Sequence, residues 1–389
     1  MPAPWQISAD TGGTFTDCFG VPPGGAAGTD ARLVKVLSSG RLRVSVTEWI
    51  DKRAARLDIP AGWSVPEGFF VGFDAAIDDA VVKVEAWDAT DHVLKLADAT
   101  PPASAIDLFT GEEAPILGAR LLTGTGPGNA FPPVEFRLGT TRGTNALLER
   151  RVAPVAWFVT RGFGDLLTIR DQRRPDLFAL EHRRPAPLAE FVCEVDERLA
   201  DDGAVLKPLD PGFETEARHA LAAGLRVAAV SLLHSYRNPA HEIALRSRLL
   251  ALGFEHVSLS SDLAPFIKLL PRAETAVVDA CLTPILRQFV ENIRRSAGLE
   301  EKGPLIMTSA GGLEPAACFR PRVSGRRIRC SPDPPAGWPA PPPRRARSGS
   351  KGSSPSTWAA PAPMSPGSTA ISNTASSTAS ATPPCSPRL

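Results

Sequence analysis

The chain has 389 residues, 43% of them hydrophobic, with a formal net charge of +1. That is room for roughly two or three domains with a buried core, and the neutral balance argues against a nucleic-acid partner. The six cysteines are scattered with no C-x-x-C pair and no apolar run reaches membrane length, which speaks against a zinc site, a disulfide framework and a membrane span. MPAPWQISAD, the first ten residues, has neither the basic nor the apolar region of a signal peptide, so the expectation is a reduced, cytoplasmic protein.

In chain order, WQISAD (5–10) reads as a short strand running into a glycine turn, and ARLVKVLSS (31–39) as another strand. VVKVEAWDATDHVLKLA (81–97) reads as strand, turn, strand. TGTGPGN (123–129) fits neither a P-loop nor a dinucleotide fingerprint and is expected to be a loop. In TTRGTNALLER (140–150) a loop leads into a helix, with Asn145 as its expected N-cap. PVAWFVT (154–160) and RVAAVSLLHS (226–235) are continuous apolar runs of the kind found in buried parallel strands. Between them ETEARHALAAG (214–224) has helical spacing and closes on Gly224. NPAHEIALRSRLLALG (238–253) repeats the pattern, with Asn238 to cap, Pro239 in the first turn and Gly253 to close. HVSLSS (256–261) is a strand, and 273–298 is a long helix with a kink expected at Pro284. PLIMTSAGG (304–312) is a strand entering a glycine pair. The alternation predicts an α/β fold with a largely parallel sheet. His234 and His241 straddle a turn and read as satisfied structural histidines rather than a metal pair.

DTGGTFTD (10–17) carries the chemistry. Gly12 and Gly13 allow a tight turn with bare N–H groups, and Thr11, Thr14 and Thr16 add hydroxyls, a composition suited to an anion. An acid beside a bound phosphate needs a cation between them, so Asp10 is the candidate Mg²⁺ partner, acting through water. Asp17 either holds the loop or faces the metal. A polar hairpin turn accounts for the same composition without any ligand.

This octapeptide resembles the first phosphate loop of the hydantoinase A / 5-oxoprolinase family, which has the actin, sugar-kinase and Hsp70-type ATPase fold. LGTTRGTNALLERR (138–151), VTRGFGDLLTIRDQRRPDLFAL (159–180), SLLHSYRNPAHE (231–242) and SLSSDLAPFIKLLPRAETAVVDACLTPIL (258–286) resemble the family in order and spacing, from about residue 5 to about residue 323. GFFVGFD and RLLTGTGPG resemble its fused, 5-oxoprolinase-type branch. The resemblance implies an incomplete actin/sugar-kinase/Hsp70-like ATPase lobe. Its parts are a hydantoinase/oxoprolinase N-terminal domain at 5–262 and the start of the hydantoinase A domain at 263–323. It implies ATP and Mg²⁺, with Asp10, Asp17 and Asn145 as catalytic residues and Asp10 at the metal. Thr11, Gly12, Gly13, Thr14, Thr16, Thr140, Thr141, Thr144, Gly311 and Gly312 would lie around the nucleotide. RDQRRPDLF (170–178), with Arg170, Arg173, Arg174 and Asp176, is either part of the site or a solvated charged loop. In TSAGG, Ala310 stands where the family carries asparagine. The implied reaction is ATP-dependent opening of a small cyclic amide: phosphorylation of the amide oxygen makes the carbonyl carbon electrophilic for water. The implied partner is a second large hydantoinase B-type subunit or a fused half. The rival readings are a carboxylase subunit of the same family, acting on acetone- or acetophenone-like ketones, and a non-catalytic fragment.

From Arg326 the composition changes to proline and serine with Asp333 as the only acid, a segment expected to be disordered. Family members continue instead into SGPAGG and a second loop, DMGGTSTD. Shifting the reading frame back by one base lets CSPDPPAGWP (330–339) read Leu-Leu-Ser-Gly-Pro-Ala-Gly-Gly-Val-Ala. In the same frame 352–365 can read Val-Ile-Ala-Phe-Asp-Met-Gly-Gly-Thr-Ser-Thr-Asp-Val, and the first glycine is fixed because Trp358 has a single codon. The expectation is that 324–389 is out-of-frame translation. A natural Pro/Ser-rich tail is the alternative.

Overall fold

The computed structural model describes residues 3–172, 178, 185–299, 303–308 and 312–316. The tail from 324, together with Arg173, Arg174, Asp176, Ala310 and Gly311, lies outside the described residues.

Strand β1 (Trp5–Thr11) turns at the glycine pair into β2 (Phe15–Val21), and β3 (Arg32–Leu37) follows. Next come β4 (Leu42–Asp51), β5 (Ala54–Asp58), β6 (Asp74–Ile77), β7 (Ala80–Asp88), β8 (Val93–Leu96) and β9 (Ala105–Phe109). These six close into a barrel in the order β4-β5-β8-β7-β6-β9, with antiparallel pairing throughout. Leu57, Ile77, Leu94, Leu96, Ile106 and Leu108 are buried, and Phe70 packs edge-on against Trp87 with ring centroids 4.8 Å apart. Closure leaves no unpaired strand edge.

Helix α1 (Ala114–Thr123) starts with Pro115 in its first turn and ends at Gly124, φ 70°, whose N–H donates to Arg120 O. Its Gly118 lies against β2, where an added Cβ would stand 2.2 Å from Cys18 Sγ. Gly118→Ala is therefore expected to destabilise the protein by about 1–3 kcal/mol through overpacking. Urea denaturation would show a lower midpoint, partly recovered by a second change, Cys18→Ala; an unaltered midpoint would contradict this packing.

The chain then runs through β10 (Val134–Thr140), α2 (Arg142–Leu148), β11 (Val155–Thr160), α3 (Leu166–Ile169), β12 (Ala189–Val195), β13 (Arg198–Leu199), β14 (Val205–Lys207) and α4 (Phe213–Ala222). It continues with β15 (Val227–Ser231), α5 (Ala240–Leu252), β16 (His256–Leu259), α6 (Ser260–Leu263), α7 (Leu269–Ser296), β17 (Leu305–Met307) and β18 (Leu313–Pro315). Two larger sheets result, beside a two-stranded antiparallel β13–β14 ribbon. The first has the order β18-β17-β10-β1-β2-β3 and the second β12-β11-β15-β16. The second is parallel throughout, as the apolar runs predict. The first is mixed, so a largely parallel sheet describes only part of the fold, and the antiparallel barrel is an addition to it.

Helix α7 joins the two sheets. Ala273, Ala276, Val277, Ala280 and Cys281 pack on the second sheet with Trp157 and Ala229, while Phe289, Val290 and Ile293 belong to the core of the first sheet and barrel. The helix continues through Pro284, and near that interruption Cys281 O accepts the Ala153 N–H at 3.2 Å. Among the described residues no helix is long and apolar enough to cross a membrane.

Candidate functional site

Three parallel strands of the first sheet, β1, β10 and β17, end on the same side. Asp10 pairs with Gly139 and Thr11 with Thr140 across β1–β10, and β10 pairs in turn with β17. The 12–14 turn and the start of α2 leave from these carboxyl ends, where Thr308 also follows β17, the position at which open α/β sheets bind ligands.

The turn is closed by Gly12 N–H donating to Phe15 O at 3.0 Å. A Cβ on Gly12 would lie 3.0 Å from the same oxygen, so the close approach of the backbone requires glycine there. Both flanking carbonyls are occupied: Gly12 O accepts Ser38 Oγ–H and Thr14 O accepts Ser38 N–H, each at 2.9 Å. Among the described residues the N–H groups of Gly13 and Thr14 have no acceptor. The Gly13 carbonyl likewise has no donor among the described residues, so the exposed tip leaves two N–H groups and one carbonyl without a partner.

Asp10 is exposed beside this tip. It stands directly opposite Asp17, so the two carboxylates share a face of the sheet, and Asp17 is paired with Lys35 at 3.3 Å on the next strand. Like charges in register disfavour the pairing unless a cation lies close. Lys35 supplies one for Asp17, and a divalent ion at Asp10 would supply another. The residues present fit a phosphate with Mg²⁺: two free N–H donors, an exposed carboxylate and a glycine, Gly139, whose Cβ would come within 3.2 Å of Asp10 Oδ1.

Of the hydroxyls expected here, that of Thr14 is at the exposed tip. Thr16 is fully buried with its Oγ1 3.0 Å from Ser38 Oγ, and Thr11 is 5% exposed with its Oγ1 lacking a partner among the described residues. Thr11 O accepts both Thr141 N–H at 2.9 Å and Thr141 Oγ1–H at 3.2 Å, which ties α2 to β1. Asn145 is not the N-cap of α2. The helix starts three residues earlier with Thr141 at its cap position, and Thr140 Oγ1 accepts the Arg142 N–H at 3.0 Å. Asn145 is released from capping and reaches back. Its Nδ2 donates to Thr141 Oγ1 at 3.3 Å and would be 3.3 Å from a Cβ on Gly13. Thr144 follows Gly143 on the same short helix. Arg142, bonded to Glu113 at 2.7 Å, and Asn292, bonded to the other Glu113 oxygen at 3.0 Å, brace α2 against α1 and α7. Gly312 O, just ahead of β18, accepts Thr308 N–H at 2.8 Å. Thr123 closes α1 and 124–129 is a loop as expected, pinned by Arg120 Nη1 on Thr125 O and Gly126 O while Arg120 grips Glu112 through two hydrogen bonds of 2.7 Å.

At the carboxyl edge of the second sheet lies a buried polar network that has no counterpart in the sequence reading. Arg272 and Glu242, both fully buried, approach to 3.9 Å. Glu242 accepts Leu232 N–H, Ser260 Oγ–H and Ser261 N–H. Arg272 donates to Ser235 Oγ and Leu232 O, and burial holds its pKa below the usual arginine value despite Glu242. His241 is satisfied, with Nδ1 2.7 Å from Glu197. His234 departs from the expected satisfied histidine: it has a left-handed φ of 59°, and its buried Nδ1 has no partner among the described residues. Arg170, from the charged loop, also has a left-handed φ and donates only locally, to Leu167 O at 3.4 Å. Cys18, Cys193 and Cys281 are buried free thiols. Burial pushes Cys193 and Cys281 from 9.0 up to about 12 and raises Cys18 as well, so none is a poised nucleophile.

The hydantoinase/oxoprolinase N-terminal region matches residues 104–253. That stretch is similar to the N-terminal region of the hydantoinase/oxoprolinase family. Its relatives include 5-oxoprolinase 1 of Arabidopsis thaliana, 37% identical over 259 residues that cover 59% of this chain and 20% of the relative. The 5-oxoprolinase of Saccharomyces cerevisiae is 36% identical, covering 46% and 16%, and the caprolactamase subunit alpha of Pseudomonas jessenii is 32% identical, covering 48% and 28%. The chain thus spans about a fifth of the length of the oxoprolinases it matches. Among solved structures, a nucleotide-free acetone carboxylase aligns with TM-score 0.52 at 19% identity, over 82% of this chain and 38% of that one. The ATP-dependent caprolactamase of Pseudomonas jessenii aligns with TM-score 0.50 at 20% identity, over 80% and 36%. The mixed α/β fold is thus similar to those structures. The matched segment runs from just before β9 through α5, so it takes in α2 and strands β11, β12 and β15 of the second sheet but neither β16 nor the 12–14 turn.

Proposed function

We propose that the chain is the nucleotide-binding part of an ATP-dependent cyclic amidohydrolase of the 5-oxoprolinase/hydantoinase type. The observation that carries this is the donor-presenting turn: free N–H groups on Gly13 and Thr14 beside exposed Asp10, at the carboxyl ends of β1 and β10. Such a turn stabilises a phosphate through fixed N–H dipoles without reorganisation. ATP supplies a phosphoryl group for the amide oxygen of the ring, which turns a poor leaving oxygen into a good one. The turn N–H groups would orient the phosphates and Asp10 would hold Mg²⁺ through its hydration shell. Asn145, joined to Thr141, would fix the edge of the cleft. Asp17, Thr140, Thr144, Gly311 and Gly312 complete the proposed surroundings, and the buried Thr11 and Thr16 support them from below. The domain limits at 262 and 323, a cytoplasmic location, a second large subunit or fused half, and the out-of-frame origin of 324–389 belong to the same proposal. Resequencing the locus tests the last of these: an uninterrupted frame with no DMGGTSTD in any frame would sink it.

A second reading, a non-catalytic fragment, is favoured by one feature. Phe15, Phe19 and Leu33 lie on the face of β1–β3 that bears Asp17 and are 46%, 36% and 62% exposed. These exposed apolar side chains share one face of the sheet, as a surface covered by a further part of the protein would. ADP release measured with 5-oxoproline, hydantoin, caprolactam and acetone separates the readings. A frame-restored protein is expected to release ADP with a cyclic amide, and the 389-residue chain to turn nothing over. Release with acetone alone would favour the carboxylase branch.

A further inference from the structure

The polarity of the phosphate turn depends on a residue outside it. Ser38 lies in the turn between β3 and β4, half-buried, and contacts the 12–16 segment three times. Its N–H donates to Thr14 O at 2.9 Å, its Oγ–H donates to Gly12 O at 2.9 Å, and its Oγ is 3.0 Å from Thr16 Oγ1. Because the single hydroxyl proton of Ser38 is committed to Gly12 O, Thr16 must be the donor in the last contact. The result is a chain of hydrogen bonds from the buried Thr16 through Ser38 to the turn carbonyl. Ser38 is itself fixed: Gly40 N–H donates to Leu37 O, Leu37 N–H donates to Arg41 O, and Gly40 has φ 74° with no room for a Cβ, which would be 2.6 Å from Glu112 O.

A bare Gly-Gly-Thr turn has as many carbonyl oxygens as N–H groups, and a phosphate is repelled by the first as much as it is attracted by the second. Ser38 removes that symmetry. It supplies donors to Gly12 O and Thr14 O, so that among the groups left at the tip the two N–H donors of Gly13 and Thr14 outnumber the single carbonyl of Gly13. We infer that Ser38 is a positioning residue that makes the 12–14 turn an anion site. This rests on the phosphate-loop reading proposed above.

The test is calorimetric titration of Mg-ATP into the 389-residue chain and its variants Ser38→Ala, Ser38→Thr and Ser39→Ala, with thermal unfolding of each. Ser38→Ala is expected to weaken Mg-ATP binding roughly tenfold, the loss of about one charge-dependent hydrogen-bond contribution. Ser38→Thr keeps the hydroxyl and should restore affinity, and Ser39→Ala should leave it unchanged. A merely structural serine would lower the unfolding temperature while leaving the affinity of the folded protein intact, and that pattern overturns the inference. Equal affinity of Ser38→Ala and the parent overturns this inference alone. Failure of the parent chain to bind Mg-ATP overturns the phosphate-loop reading and this inference with it.

Discussion

Replacing Arg272 by methionine is expected to destabilise the protein by about 3–5 kcal/mol, the cost of stranding a buried charge. Methionine fills similar volume, so the loss is electrostatic rather than a cavity. Glu242 would remain fully buried with three donors, Leu232 N–H, Ser260 Oγ–H and Ser261 N–H, but without its cation 3.9 Å away. Ser235 Oγ and Leu232 O would lose the donors that tie the end of β15 to α7. Adding Glu242→Gln removes the stranded charge while keeping an acceptor for Leu232 N–H, so the double variant should recover much of the loss. Urea denaturation decides it. A midpoint for Arg272→Met equal to that of the parent would mean that Glu242 does not need its partner.

Gly13→Val carries the largest expected effect on binding. The backbone there has an ordinary φ, so valine is not excluded by conformation, and the first atom it adds meets only Asn145 Nδ2, at 3.3 Å. The folded protein should survive. The side chain would nevertheless cover the two outward N–H groups and push Asn145 aside, which costs contacts worth about 1.5–3 kcal/mol each when the acceptor is charged. Mg-ATP affinity should fall by roughly 10- to 100-fold or more. Asp10→Asn should behave differently. It removes the carboxylate that faces the proposed cation, so it should abolish the dependence on Mg²⁺ more than the affinity for nucleotide. Circular dichroism matching the parent would show that both variants are folded.

Most of the second sheet could be read from the chain, because continuous apolar runs such as Val155–Thr160 and Val227–Ser231 leave few alternatives to a buried parallel strand. The barrel could not. Its strands alternate only locally and its closure depends on pairings such as β4 with β9, which no local pattern announces. Short α1 is buried along nearly its whole length and so lacks an amphipathic signature. The glycine turn after β1 was legible because the close approach of Gly12 to Phe15 O restricts residue type, and the role of Asp10 beside it is the proposal made above. Asn145 was misassigned by treating it as a cap, when Thr140 and Thr141 already occupy the start of the helix. Ser38 and the Arg272–Glu242 pair carried no signal at all. A serine in a turn and an acid within an amphipathic helix are commonplace, and only the fold brings Ser38 to Thr16 and Gly12, 22 and 26 residues away, and Arg272 to Glu242.

The central claim is that the turn after β1 binds the phosphates of ATP. Titrating the purified 389-residue chain with ATP, with and without Mg²⁺, tests it most directly. The account predicts weak, saturable, Mg²⁺-dependent binding that Gly13→Val abolishes. Absence of binding by the folded parent chain, or undiminished binding by Gly13→Val, would contradict it.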